Sequence, residues 1–321
     1  MKLGVFTVLM SSEPLEKALD VIAGLGCQCV ELGCGNYPGT AHCNPDVLLA
    51  DGGKVKALKD LIASKGLEIS ALSCHGNPLH PDKKFADSNI EAFKKAVRLA
   101  PKLGVDVVIN FSGCPGGGPD DKTPNWVTCP WPTDFSEIVK WQWEKKVIPH
   151  WKEMAKFCKD NGVKKVAFEM HPGFVVYNTE SLLRLRAEVG DIIGANFDPS
   201  HLFWQGMDPI QSVRALKGAI WHVHAKDCRI YPMNSEVNGV LDVKSYTDEI
   251  RRSWIFRTVG YGHGADFWND FVSTLRMCGY DGTLSIEHED SLMSPMEGLQ
   301  KAAAFLKGVL ISQAAGEAYW A

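Results

Sequence analysis

The chain alternates short apolar runs of β type with longer segments of helical length, eight times over. The runs fall at 3–8, 28–33, 68–74, 106–112, 165–170, 193–198, 219–224 and 283–288. Helical segments follow them at 13–25, 45–65, 85–103, 136–161, 179–189, 208–217, 266–278 and 295–310. Strand then helix, eight times in a chain of this length, is the pattern of a closed parallel barrel with its helices outside. A doubly wound open sheet would place a GxGxxG turn after the first strand, and none follows Leu3–Val8. Helix-end chemistry agrees, with Pro14 and Glu16 at one start and Gly24, Gly66, Gly104, Gly162 and Gly190 where C-caps fall. We therefore expect an α/β chain forming a single (β/α)8 TIM barrel over 1–321. It shows no internal repeat, no low-complexity segment and no linker that would divide it.

In such a barrel the functional side chains gather at the C-terminal ends of the strands. Lys165-Val166-Ala167-Phe168-Glu169-Met170-His171-Pro172 is an apolar run that delivers Glu169 and His171 at its end. Residues two apart on a strand share a face, so the two project together. Three later runs end in the same way, at Asp198, His224 and Glu287. Four such groups at successive strand ends, unpaired, would repel one another and resist burial. Three carboxylates and one imidazole suit a hard or borderline divalent ion, Mn²⁺ first and Mg²⁺ or Co²⁺ next, rather than a thiolate-bound zinc. Glu169, Asp198, His224 and Glu287 are the candidate metal ligands.

Around them lie His201, three residues after Asp198, and Asp227 and Arg229, three and five after His224. Glu289 follows Glu287 by two. Asp227 and Glu289 are candidates for carboxylates that orient a ligating imidazole. Arg229 is a candidate clamp for a substrate oxygen or a partner for Asp227. His201 and His75 are candidate substrate contacts, with Tyr37-Pro38 at the rim, and His222 is assigned to the helix-facing side as a structural residue. Two connections exceed the usual length of a βα loop. One, at 113–135, holds Trp126 and Trp131 in a Gly/Pro-rich frame and is expected to wall or cover the pocket. The other, at 229–265, holds Trp254, Phe256 and Arg257 and is expected to cover the site or to contact a second subunit.

Composition enters mainly by exclusion. A net charge of −4 provides none of the basic footprint expected of a nucleic-acid binder. No run approaches the ~18 apolar residues needed to span a bilayer, and Met1–Phe6 lacks the pattern of a secretory leader. Ten cysteines without a CxxC pair read as reduced thiols in a cytoplasmic protein. One of Cys74, Cys114 and Cys228 could line the pocket, although small buried hydrophobes are their ordinary role.

The motifs SCHGNPLHPD, FEMHPG, NFDPSHLFW, HVHAKD and SIEHED, with the series Glu169, Asp198, His224 and Glu287, resemble the sugar isomerase/epimerase superfamily, the xylose-isomerase-like barrels. The likeness spans essentially the whole chain. It implies Mn²⁺ or a related ion on those four residues. In the ketose 3-epimerases of this group the two ligating glutamates act as acid and base, here Glu169 and Glu287. Those epimerases carry a further glutamate six residues after the first ligand, where this chain has Val175. His171, two residues after Glu169, is similar instead to a histidine of C-glycoside deglycosylase catalytic subunits. Those enzymes cleave 3-oxo-glycosides with a histidine as base and work with a small β partner subunit. Barrels of this kind also associate as homo-oligomers.

The chemistry implied is proton abstraction beside the carbonyl of a keto-sugar, giving an enediolate stabilised by a Lewis acid. Catalytic candidates are His171, Glu169 and Glu287. Expulsion of a β-substituent from a 3-oxo-glycoside is the leading expectation, and ketose 3-epimerisation or isomerisation is the alternative. From other classes, an endonuclease IV-like phosphodiesterase would need more metal ligands and a basic surface. A non-catalytic barrel subunit would make the ligand series a coincidence.

Overall fold

The structure, a computed structural model, describes residues 1–320. Its strands in chain order are β1 (Lys2–Phe6), β2 (Cys29–Gly33), β3 (Glu68–Ser73), β4 (Val107–Asn110) and β5 (Lys165–Glu169), then β6 (Ile193–Phe197), β7 (Ile220–Ala225), β8 (Asp227–Ile230), β9 (Trp254–Arg257) and β10 (Thr283–Ile286). Eight of them close a parallel barrel in the order β1-β10-β7-β6-β5-β4-β3-β2, and β8 and β9 form a separate antiparallel pair. The strands are short and apolar because both faces are covered, by helices outside and by packed side chains within. Strands β2, β4 and β6 are buried at every position.

The helices begin and end on local chemistry. Asp82 accepts from Phe85 N at the start of Lys83–Leu103, and Gly104, at φ +78°, ends that helix in the left-handed region. Asn178 and Ser181 form a reciprocal capping box at the start of Thr179–Val189. The segment expected as one helix at 45–65 is two, Pro45–Ala50 and Gly52–Ser64, because Asp51 is extended and caps the second. The segment at 136–161 starts earlier, at Thr133, and runs through a π turn at Gln142–Val147. The first helix stops at Gly24, and the left-handed glycine beyond it is Gly26.

The barrel floor is closed by Trp221. Its indole donates to Ile192 O at 3.0 Å, and Lys165 and Arg186 stand over its ring. A Cβ on Gly194 would lie 2.3 Å from the Trp221 Nε1, so glycine is required there. The long segment after β7 is more ordered than a loop. It contains β8, the helix Pro232–Asn238 and β9, and Trp254 stacks on Trp204 at 4.6 Å with planes 6° apart. That stack holds the hairpin against the barrel mouth, where Phe256 lies 5.3 Å from the His201 ring. The segment thus reaches the flank of the site through Phe256, and none of residues 229–265 lines the mouth cavity. Among the described residues no helix is long and apolar enough to cross a membrane.

Candidate metal centre and barrel-mouth cavity

Glu169 leaves the end of β5, Asp198 follows β6, His224 lies in β7 and Glu287 follows β10. One donor atom from each lies within 4.8 Å of the others. His224 Nδ1 is 3.2 Å from Glu169 Oε2 and 3.0 Å from Glu287 Oε2. Three buried atoms at this spot, Asp198 Oδ2, His224 Nδ1 and Glu287 Oε2, lack an aligned hydrogen-bond partner. The Lys226 ammonium meets the two carboxylate oxygens as a charge but leaves them and the imidazole nitrogen without aligned hydrogen bonds. That is rare for buried polar atoms, and three such donors facing one point fit a divalent cation. The charges around this point also act on one another. Burial lowers the His224 pKa, but Glu31 and Glu287 outweigh it and hold the imidazole well above its usual value. Burial raises Glu169, whereas the imidazoles of His201, His224 and His75 beside it hold it well below the carboxylate range.

Lys226 belongs to the same cluster, and the sequence reading missed it. Its side chain is 2% exposed, and the ammonium lies 3.1 Å from Asp198 Oδ2, 2.7 Å from Glu287 Oε2 and 2.9 Å from Glu289 Oε2. Burial opposes its charge, but Asp198, Glu287 and Glu289 outweigh that and keep it protonated. The signal was in HVHAKD, where His222 and His224 of β7 and Lys226 just past its end alternate and so share the inner face. For the same reason His222 does not point into the helix layer. It is buried inside the barrel, with Nδ1 2.9 Å from Asn196 Oδ1 and Nε2 3.2 Å from Ser70 Oγ.

Other expected site residues divide. His75 Nε2 lies 3.0 Å from Glu169 Oε2, and His201 Nε2 lies 3.0 Å from Glu169 Oε1. Both hold the first glutamate, and only His75 also faces the cavity. Asp227 orients no ligating imidazole. Its carboxylate accepts from the backbone of Gly260, Gly262 and His263 and pairs with His263 Nδ1 at 2.7 Å, anchoring the turn after β9. Arg229 is exposed and donates to Gly262 O, so it neither clamps the pocket nor pairs with Asp227. Glu289 pairs with Lys226 rather than with an imidazole. Trp131 is 75% exposed, away from the mouth. Trp126 packs edge-on against Tyr177 and lines a separate cavity with Val175 and Arg184. Cys74, Cys114 and Cys228 are buried, and none lines the mouth.

The mouth is a cavity of about 380 Å³. Phe6, Tyr37, Phe111 and Phe174 make its apolar wall, and Phe111 and Phe174 stack at 4.2 Å. Its polar side carries Glu169, Glu287, Glu289, Lys226, His75 and His171. His171 Nδ1 faces Pro172 O, and the imidazole ring lies 4.1 Å from that of His201. Burial, then the neighbouring His201, push its pKa down to about 3, so the imidazole is neutral.

A sequence model of the xylose isomerase-like TIM barrel family matches residues 19–309. The chain belongs to that family. The chain is 41% identical over 309 residues to YfiH of Bacillus subtilis (strain 168), an uncharacterized protein, covering 96% of this chain and 98% of that one. It is 28% identical over 158 residues to an inosose dehydratase of Clostridium botulinum (strain Alaska E43 / Type E3), covering 48% of this chain and 51% of that one. Among solved structures, the IOLI protein with a binding zinc atom superposes with a TM-score of 0.65 at 20% identity, over 97% of this chain and 98% of that one. That last likeness concerns the fold alone. Closeness to C-glycoside deglycosylases does not emerge among these relatives.

Proposed function

We propose that this xylose isomerase-like barrel is a divalent-metal-dependent lyase acting beside the carbonyl of a keto-sugar or keto-cyclitol. Glu169, Asp198, His224 and Glu287 would hold the ion, with Mn²⁺ the first choice for a set of three carboxylates and one imidazole. When bound, the ion supplies Lewis-acid polarisation of the ketone and stabilises charge on its oxygen. The observation that carries the reading is the contrast between His171 and Glu169. His171 is a neutral imidazole at the cavity whose Nδ1 is occupied by Pro172 O. Its Nε2 is left as the free lone pair for a proton. With its pKa pushed down to about 3 it is a weak base that needs the C–H first acidified by polarisation of the ketone.

Glu169, besides its place toward the ion, is held at both oxygens: Oε1 faces His201, and Oε2 faces His75 and Asn196. Epimerisation needs an acid and a base on opposite faces of the substrate, and a glutamate tied down on both oxygens serves that poorly. Elimination needs one base. His171 Nε2 takes the proton from the carbon next to the carbonyl, and the C–H electron pair moves into an enolate. The Lys226 ammonium lies at the same wall and stabilises the developing negative charge. Re-formation of the carbonyl makes a C=C bond and breaks the β C–O bond, and the departing hydroxide takes the proton from His171 and leaves as water. Inosose dehydratase among the relatives supports water as the leaving group. The aromatic wall of Phe6, Tyr37, Phe111 and Phe174 favours a second leaving group, the aglycone of a 3-oxo-glycoside, by offering it a stacking surface.

The test is mass spectrometry of Mn²⁺-loaded protein with a keto-cyclitol, a free ketose and a 3-oxo-glucoside. Loss of water or of an aglycone supports the lyase. An inverted stereocentre with no mass change makes it an epimerase, and three inert substrates with metal bound remove the reading.

A further inference from the structure

Beneath the four donor atoms the barrel interior is polar, where branched apolar side chains ordinarily fill a barrel. Glu31 of β2, Ser73 of β3, Asn196 of β6 and Ser285 of β10 are wholly buried there, with His222 of β7 beside them. Glu31 is the hub. Its oxygens accept from Ser73 Oγ, from Ser285 Oγ at 2.7 Å and from His224 Nε2 at 3.0 and 3.1 Å. Strand register slips between Val30 and Glu31, and again between Ala195 and Asn196. Irregularities of this kind re-aim a side chain, and both occur at residues that reach a metal-ligand candidate.

We propose that Glu31 is the positioning residue of the metal centre: with an ion in the four-donor cluster it holds the His224 proton on Nε2, so that the Nδ1 lone pair is the one turned to the ion. The inference rests on the metal-centre reading of Glu169, Asp198, His224 and Glu287. A carboxylate only accepts, so the imidazole nitrogen that faces Glu31 carries the proton. The opposite nitrogen, Nδ1, is the buried atom without an aligned partner, and it points at Glu169 and Glu287. The Glu31 charge also makes His224 a stronger donor.

Asn196 acts in parallel on Glu169, donating from Nδ2 to Oε2 at 3.2 Å while its Oδ1 is held by His222. The floor itself is not a second ion site. Glu31, His222 and His224 lie close enough together to hold a cation. Both nitrogens of His222 face Asn196 and Ser70, however, and both oxygens of Glu31 already accept hydroxyl protons.

The experiment measures Mn²⁺ affinity by chelator competition for the wild type, Glu31→Gln and Ser73→Ala. It is paired with ¹⁵N NMR of the zinc-loaded wild type. Glutamine keeps the size and one acceptor but loses the charge, so Glu31→Gln should bind about 10- to 100-fold more weakly. Ser73→Ala, which leaves the Glu31–His224 contact in place, should bind close to wild type. The His224 spectrum should show a proton on Nε2 and none on Nδ1. A wild type that binds neither ion overturns the metal-centre reading and the proposal with it. Tight binding by both wild type and Glu31→Gln overturns the proposal alone. If Glu31→Gln does not fold, the NMR of the native chain decides, and an Nδ1 proton in the zinc-loaded protein overturns it.

Discussion

At the scale of single residues, holding a metal and moving a proton fall to different side chains. Glu169→Gln and Glu287→Gln each remove a charged donor from a four-donor cluster. Both should lose metal affinity and activity together, as read by metal analysis and turnover on one preparation. His171→Ala should retain the ion and lose turnover by about 10²- to 10⁴-fold, the usual worth of a general base. Lys226→Met has a different signature. It leaves Asp198, Glu287 and Glu289 without their buried cation, and breaking such a pair costs about 3–5 kcal/mol. The metal-free variant should therefore unfold well below the metal-free wild type, and saturating Mn²⁺ should narrow the gap. An equal deficit with and without Mn²⁺ would count against the shared cluster.

The four donor residues were legible because each closes an apolar run, where barrel chemistry collects. Glu31 was passed over because it sits inside its run, Cys29-Val30-Glu31-Leu32-Gly33, instead of at the end. A lone charge inside a fully apolar strand was itself the available signal, since it is tolerated only with partners. Those partners, Ser73, His224 and Ser285, come from three other strands, and nothing in the local sequence joins them.

At the scale of elements, the alternation of strands and helices was readable from periodicity, and the ends of the long loops were not. The hairpin of β8 and β9 is an antiparallel pair set between two parallel barrel strands. Its place is fixed by Trp204 stacking on Trp254 and by Arg252, 1% exposed, lying over the Trp254 ring. The two tryptophans expected to wall the pocket have parted company for a similar reason. Trp126 finds a packing partner in Tyr177, and Trp131 finds none. Trp131→Ala should leave KM unchanged and stability within about 0.5 kcal/mol of wild type, measured by steady-state kinetics and denaturant unfolding. Gly194→Ala pushes a methyl into the Trp221 indole at the barrel floor. It should cost about 1–3 kcal/mol through overpacking, read as a lowered denaturation midpoint.

At the scale of the whole molecule, the polar floor, the four donors and the aromatic mouth are stacked along one barrel axis. The helices make that stack possible by covering the outer faces of all eight strands. A cation bound only by the folded state stabilises it by about 2.7 kcal/mol at a hundredfold excess over Kd. Chelation should therefore lower the unfolding midpoint of the wild type, and an unchanged midpoint would speak against a bound ion.

The central claim is that His171 takes the proton next to the carbonyl, and label release tests it most directly. A keto-cyclitol deuterated at the carbon beside its carbonyl is given to Mn²⁺-loaded wild type and to Mn²⁺-loaded His171→Ala, with deuterium in the water followed by NMR. The account predicts release with product formation in the wild type and retention of the label in the variant. Release by His171→Ala at the wild-type rate would contradict it and return the base to the glutamates.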